Sequence, residues 1–205
     1  MKEDSIYSEL SSIRSLMERS SKFISLSGLS GVMAGVYALV GAFSAQRLAQ
    51  SHGNGLADSG YRYEGVIIAQ LIFIAIAVLV LSITTCIILT RRQSIKKGEP
   101  FWHPGSKRLL TNLSLPLLTG GIFIIILLLR GEYTMIIPST LIFYGLALVS
   151  GSQYTFSDVR WLGVFEVILG LVSAMFPHLS FISWILGFGI LHILYGFIMH
   201  FKYKQ

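Results

Sequence analysis

Six stretches of this chain are continuous apolar runs of about the length that crosses a lipid bilayer. They extend from about Phe23 to Ala45, Gly65 to Thr90, Leu109 to Leu129, Tyr133 to Ser150, Trp161 to Phe176, and Phe181 to His200. A helix needs roughly 20 consecutive apolar residues to span the hydrocarbon core. Apolar residues follow one another rather than alternate, which argues against a strand-built barrel. The fourth and fifth runs are the shortest, and the short connections around them predict antiparallel hairpins.

Composition agrees with this pattern. Charged residues make up 13% of the 205 residues, AVILMFWYC residues make up 53%, and the mean hydropathy is +0.69. Ordinary soluble domains carry roughly 25% charged residues. Too few charges are present to coat a soluble exterior, so a soluble enzyme, a disordered chain and a nucleic-acid-binding domain are all excluded. The reading is an all-α polytopic membrane protein. Six transmembrane helices occupy residues 23–205, and a cytoplasmic amphipathic helix occupies residues 1–22.

The net charge of +6 reflects topology rather than affinity for nucleic acid. With the N-terminus cytoplasmic, the inner segments hold Lys2, Arg14, Arg19, Lys22, Arg91, Arg92, Lys96, Lys97, Lys107, Arg108, Arg160, Lys202 and Lys204. The outer segments hold Arg47, Arg62 and Arg130. Lys and Arg concentrate on cytoplasmic loops, so both termini are expected in the cytoplasm. Trp102, Tyr133, Trp161, Trp184 and Tyr203 sit near span ends, where amphipathic rings anchor at the interface. The connection from about Gln46 to Glu64 is read as a mobile outer loop. Apolar sequence begins only near Phe23, so no cleavable leader is expected.

In the N-terminal segment, Ile6, Leu10, Ile13 and Met17 fall at spacings of four, three and four, which makes one apolar stripe. Residues 1–22 carry four basic and four acidic side chains. Helices that adsorb to anionic lipid have a basic polar face. Neutrality therefore points to helix pairing, in a homo-oligomer or with a cytoplasmic protein, or to packing on the chain's own cytoplasmic surface. Gly31 and Gly35 form a small-residue pair that permits close helix approach, read first as packing within the monomer. In the third run, Pro116 removes the donor for the Asn112 carbonyl, and Gly120-Gly121 follow one turn on. This predicts a helix kink at Pro116, Gly120 and Gly121, either a packing feature or the wall of a cavity.

The stretch Phe101-Trp102-His103-Pro104 through Lys107-Arg108-Leu109-Leu110-Thr111-Asn112, and Pro116 to Gly121, carries a resemblance. So do Tyr144-Gly145-Leu146-Ala147-Leu148, Tyr154-Thr155, Asp158-Val159-Arg160, Gly187-Phe188-Gly189 and His192 to Gly196. On these residues the chain resembles a group of uncharacterised bacterial six-span integral membrane proteins. The resemblance implies the class, with the spans in a bacterial inner (plasma) membrane, and brings no activity with it.

Ionisable residues within spans are costly to bury and therefore point to function. Glu166 in the fifth run and His192 in the sixth stand out, and Tyr195 lies one turn from His192. With Arg108, Asn112 and Arg160 they form a candidate buried polar pocket facing the cytoplasm; the alternative is a structural network that sets helix register. Counting outward from a turn near His178 and Leu179 brings Glu166 and His192 level on adjacent antiparallel helices. Neither a metal site nor a cofactor is expected: one cysteine, Cys86, excludes a cysteine-rich site, and the histidines lack ligand spacing.

Two functions follow as expectations. One is a non-enzymatic regulatory or scaffold component that engages a partner from the cytoplasmic side. The other is a small transporter or channel for a proton, cation or small solute. The expected partners are the bilayer and either a second copy or a cytoplasmic protein, with no nucleic acid.

Overall fold

The computed structural model describes residues 27–51, 65–96, 98, 100–102 and 104–202. Every regular element among the described residues is helical. Five helices are long and apolar enough to cross a membrane: α1 (Gly28–Ser51), α2 (Gly65–Lys96), α3 (Pro104–Arg130), α4 (Tyr133–Tyr154) and α6 (Pro177–Lys202). Between the last two lies α5 (Asp158–Met175), of 18 residues, which differs by carrying Asp158, Arg160 and Glu166. The expected amphipathic helix over 1–22, with its stripe of Ile6, Leu10, Ile13 and Met17, lies outside the described residues.

Several boundaries differ from the apolar runs. Backbone hydrogen bonding, once nucleated, continues into polar sequence as long as each added residue gains a bond. Thus α1 continues past Ala45 to Ser51, shortening the expected outer loop. Likewise α2 continues past Thr90 to Lys96, and its 32 residues make it the longest helix. It ends before Gly98, whose φ of +66° is open to glycine and strained for other residues. At the far end of α3, Gly131 adopts φ +73°. Its N–H reaches the Leu128 carbonyl and that of Glu132 reaches the Leu127 carbonyl, which closes the helix in a Schellman turn. The helix itself runs unbroken through Pro116.

Short connections make α3 and α4, α4 and α5, and α5 and α6 antiparallel neighbours. α1 packs on α2 and α6, α4 packs on α3 and α5, and α6 also touches α4 and α5. Lipid supplies no hydrophobic drive for helices to associate, so close van der Waals packing must hold them. Glycines provide it. A Cβ on Gly145 would lie 2.6 Å from the Gly163 carbonyl oxygen, and a Cβ on Gly163 would lie 2.6 Å from that of Gly145. Between α1 and α6, a Cβ on Gly28 would meet the His200 backbone nitrogen at 2.5 Å, and one on Gly196 would meet that of Val32 at 2.4 Å. Gly35 lies against the Gly189 carbonyl. The Gly31/Gly35 pair is therefore used inside the chain, against α6. Gly120 faces Phe143 of α4, whereas Gly121 has open space around it. Gly120 thus belongs to the α3–α4 contact, and the neighbouring Leu115, Leu117 and Leu118 are exposed. Around Pro116, one side of α3 packs on α4 and the other is exposed.

These contacts make opposite predictions for two glycine-to-alanine changes. Gly196→Ala should destabilise the fold by about 1–3 kcal/mol through overpacking. Gly121→Ala should be neutral or stabilising by up to about 1 kcal/mol, since alanine is the better helix former. Thermal unfolding of both variants in mild detergent checks the pair; equal effects would refute the packing described.

Candidate functional site: a buried carboxyl, imidazole and phenol

Three polar side chains meet at mid-depth in the bundle, one from each of the last three helices. Glu166 stands eight residues after the start of α5 at Asp158 and nine before its end at Met175. Tyr144 stands eleven residues after Tyr133 and ten before Tyr154 in α4. His192 stands fifteen residues after Pro177 and ten before Lys202 in α6. Glu166, Tyr144 and His192 all lie near the centres of their helices. Glu166 is 0% exposed and His192 5%.

Local structure of α6 sets the histidine. Residues Ile185–Leu191 form a π-helical turn between two α-helical pieces, Ser180–Trp184 and His192–Lys202. Such turns are rare and concentrate at functional sites. The backbone N–H of His192 bonds to the Gly189 carbonyl, and the side-chain Nδ1 lies 2.9 Å from the Gly187 carbonyl oxygen. A carbonyl only accepts, so Nδ1 carries a proton and donates it. On the other side of the ring, Nε2 is 2.8 Å from the Tyr144 hydroxyl. In the neutral imidazole Nε2 accepts, and Tyr144 donates. Phe188 stacks on the imidazole at 5.9 Å between centroids and 25° between planes. The ring of Tyr144 lies 5.1 Å from that of Phe188.

The carboxyl of Glu166 completes the array. Its Oε1 is 3.4 Å from His192 Nδ1, yet Nδ1–H is directed at Gly187. Neither Glu166 oxygen has a hydrogen-bond partner among the described residues. The carboxyl packs on Gly187, where an added Cβ would lie 2.5 Å from Oε2 and 2.8 Å from Leu141 Cδ2. Glycine at 187 is what admits the carboxyl beside the π turn.

The six residues expected to form one pocket separate in the structure. Glu166 and His192 come together. Tyr195 lies close enough to Tyr144 to act on it electrostatically and packs on a small apolar cluster of Phe156, Val159 and Met199. Arg108 and Arg160 are exposed. Asn112 is half-buried, and its side-chain N–H donates to the Arg108 carbonyl at 2.8 Å within α3. The reason is depth: Arg160 precedes Glu166 by six residues, about 9 Å along the helix axis, and long arginine side chains extend toward water. Sequence reasoning missed Tyr144 and Gly187. The signal for Tyr144 was present, because a phenol in the middle of an apolar run must find a hydrogen-bond partner. Nothing in the sequence announces the π turn that aims Gly187 at the array.

Elsewhere, Tyr37 of α1 is 3.2 Å from Thr85 of α2 through their hydroxyls. At the end shared by the start of α5 and the end of α6, Lys202 Nζ lies 2.8 Å from Asp158 Oδ2. No group of three or more His, Cys, Asp or Glu that could hold a metal occurs among the described residues. No family model, curated protein or solved structure matches this chain.

Removing the phenol hydroxyl leaves Nε2 without a partner in a buried site. Tyr144→Phe is therefore expected to destabilise by about 1–3 kcal/mol. Tyr133→Phe, at the more exposed start of α4, should stay within about 0.5 kcal/mol of the parent. Denaturation of both in the same detergent is the check, and equal stability of the two variants would contradict the hydrogen bond's role.

Proposed function

We propose that this protein is a non-enzymatic component of a bacterial inner membrane, with six spans, both termini cytoplasmic, and a regulatory or scaffold role toward a partner on the cytoplasmic side. One observation carries the reading: the polar residues divide into a sealed set and an exposed set. Glu166 and His192 are buried among packed helices. Arg91, Arg92 and Lys96 at the end of α2, Lys107 and Arg108 near the start of α3, and Arg160 near the start of α5 are all exposed. Antiparallel connectivity brings these basic positions to one end of the bundle. There they mark the cytoplasmic side and offer a charged face to a partner. The sixth crossing is α5, whose Glu166 is shielded by neighbouring helices. That is how intramembrane ionisable residues are normally accommodated.

The N-terminal stripe supplies the second contact in this reading. Co-purification of the full-length protein in mild detergent tests it. Leu10→Asp combined with Ile13→Asp should remove a co-purifying protein or change the oligomeric state while leaving membrane insertion intact. An unchanged assembly with an unchanged set of partners would contradict the proposal. Proton or cation flux by the isolated protein in liposomes would favour the transporter instead.

A further inference from the structure

The buried array is short of hydrogen-bond donors. Three acceptor oxygens face the same small volume: the Gly187 carbonyl and the two oxygens of Glu166. His192 Nδ1–H is the donor directed there, and the Gly187 carbonyl takes it at 2.9 Å, leaving Oε1 at 3.4 Å. The Tyr144 hydroxyl is engaged at Nε2 on the opposite edge of the ring. Among the described residues both Glu166 oxygens remain without a bond, at 0% exposure. A buried acceptor left unmet costs a full desolvation penalty, so the site is built for one more hydrogen than its side chains supply as donors.

We propose that Glu166 is a proton-binding site, and that His192 Nδ1–H turns from the Gly187 carbonyl to the Glu166 carboxylate when that proton leaves. Loading forms one O–H bond on the carboxyl with a proton from the aqueous phase; no electrons move, and Nδ1 keeps its hydrogen. The loaded array has two donors for three oxygens, and Nδ1–H stays on Gly187. Release returns the proton to water and leaves a carboxylate. A charged acceptor forms the stronger hydrogen bond, so it draws Nδ1–H across the short gap from Gly187. That exchange frees a carbonyl within the π turn, a stretch in the middle of α6 where the backbone pattern already departs from the α-helix. Occupancy by a proton is thereby coupled to the winding of the helix that grips α1 through Gly189 and Gly196.

The titratable neighbours are few. α4 contributes Tyr144, α6 contributes His192 and Tyr195, and Cys86 of α2 lies within electrostatic reach of Tyr144. Among the described residues His192 is the only basic side chain paired with Glu166. The inference stands apart from the partner reading, since the site would take up its proton with or without a bound protein.

Infrared difference spectra of the full chain in lipid bilayers, between mildly acidic and mildly alkaline buffer, test the proposal. The parent should lose one protonated-carboxyl C=O band on alkalinisation, and Glu166→Gln should lack that band at every pH. Nitrogen NMR of labelled His192 should show its Nδ1–H moving to a stronger acceptor over the same range. Should Glu166→Gln fail to fold, Glu166→Asp retains a carboxyl in an altered setting and should shift the band. The proposal is overturned by a band that does not respond to pH, by one that survives unchanged in either variant, or by a His192 signal constant across the titration.

Discussion

Direct backbone-to-backbone approach at glycine is the contact on which this bundle depends. A membrane helix has no water to escape, and lipid tails solvate leucine as well as another helix does. What remains is packing distance. Gly145 against Gly163 brings α4 and α5 to carbonyl contact, and Gly28, Gly31 and Gly35 do the same for α1 against α6. A single methyl at Gly28, Gly35, Gly145 or Gly163 would enter a space already filled by backbone, which cannot move aside as a flexible side chain can, and one at Gly31 would crowd the Gly196 Cα at 3.2 Å. The large apolar side chains that dominate the sequence play a different part: Phe73, Leu115 and Leu129 face outward, at 73%, 73% and 83% exposure.

The polar array depends on that packing. Held by the α4–α5 glycine contact and by Gly187, the carboxyl of Glu166 reaches the imidazole of His192 with water excluded. In so apolar a setting each hydrogen bond is electrostatically stronger and each missing one more costly. The exposed ion pair of Lys202 with Asp158, with side chains 52% and 28% accessible, operates in the opposite regime. Screening by water leaves such pairs worth about 0–1 kcal/mol. It trims the ends of α5 and α6, whereas the buried array joins α4, α5 and α6 at their centres.

Fold class was legible because a bilayer imposes length and apolarity together, and both are visible in a linear sequence. The mutual approach of Glu166 and His192 was legible for a related reason: a tight helical hairpin makes depth a matter of counting from the turn. Arg108 and Arg160 were misplaced because counting gives depth along a helix but not the direction or reach of a long side chain. Tyr144 was harder to read because a phenol is amphipathic and is as much at home at a span's interface as inside the bundle, so its residue type does not fix its partner. The π turn at Ile185–Leu191, which packs mainly on α1, was beyond reach, since a one-residue widening of a helix leaves no periodic mark in the sequence.

α5 and α6 are held so that residues 166 and 192 meet inside the bundle. Paired cysteines at Glu166 and His192, in a Cys86→Ser background, measure this directly in native membranes with a short bifunctional reagent. Efficient intramolecular crosslinking is expected of this pair and little of cysteines at Phe165 and His192, because Phe165 is 49% exposed on another face of α5. Equal crosslinking of the two pairs, or none at 166 and 192 in folded protein, would contradict it.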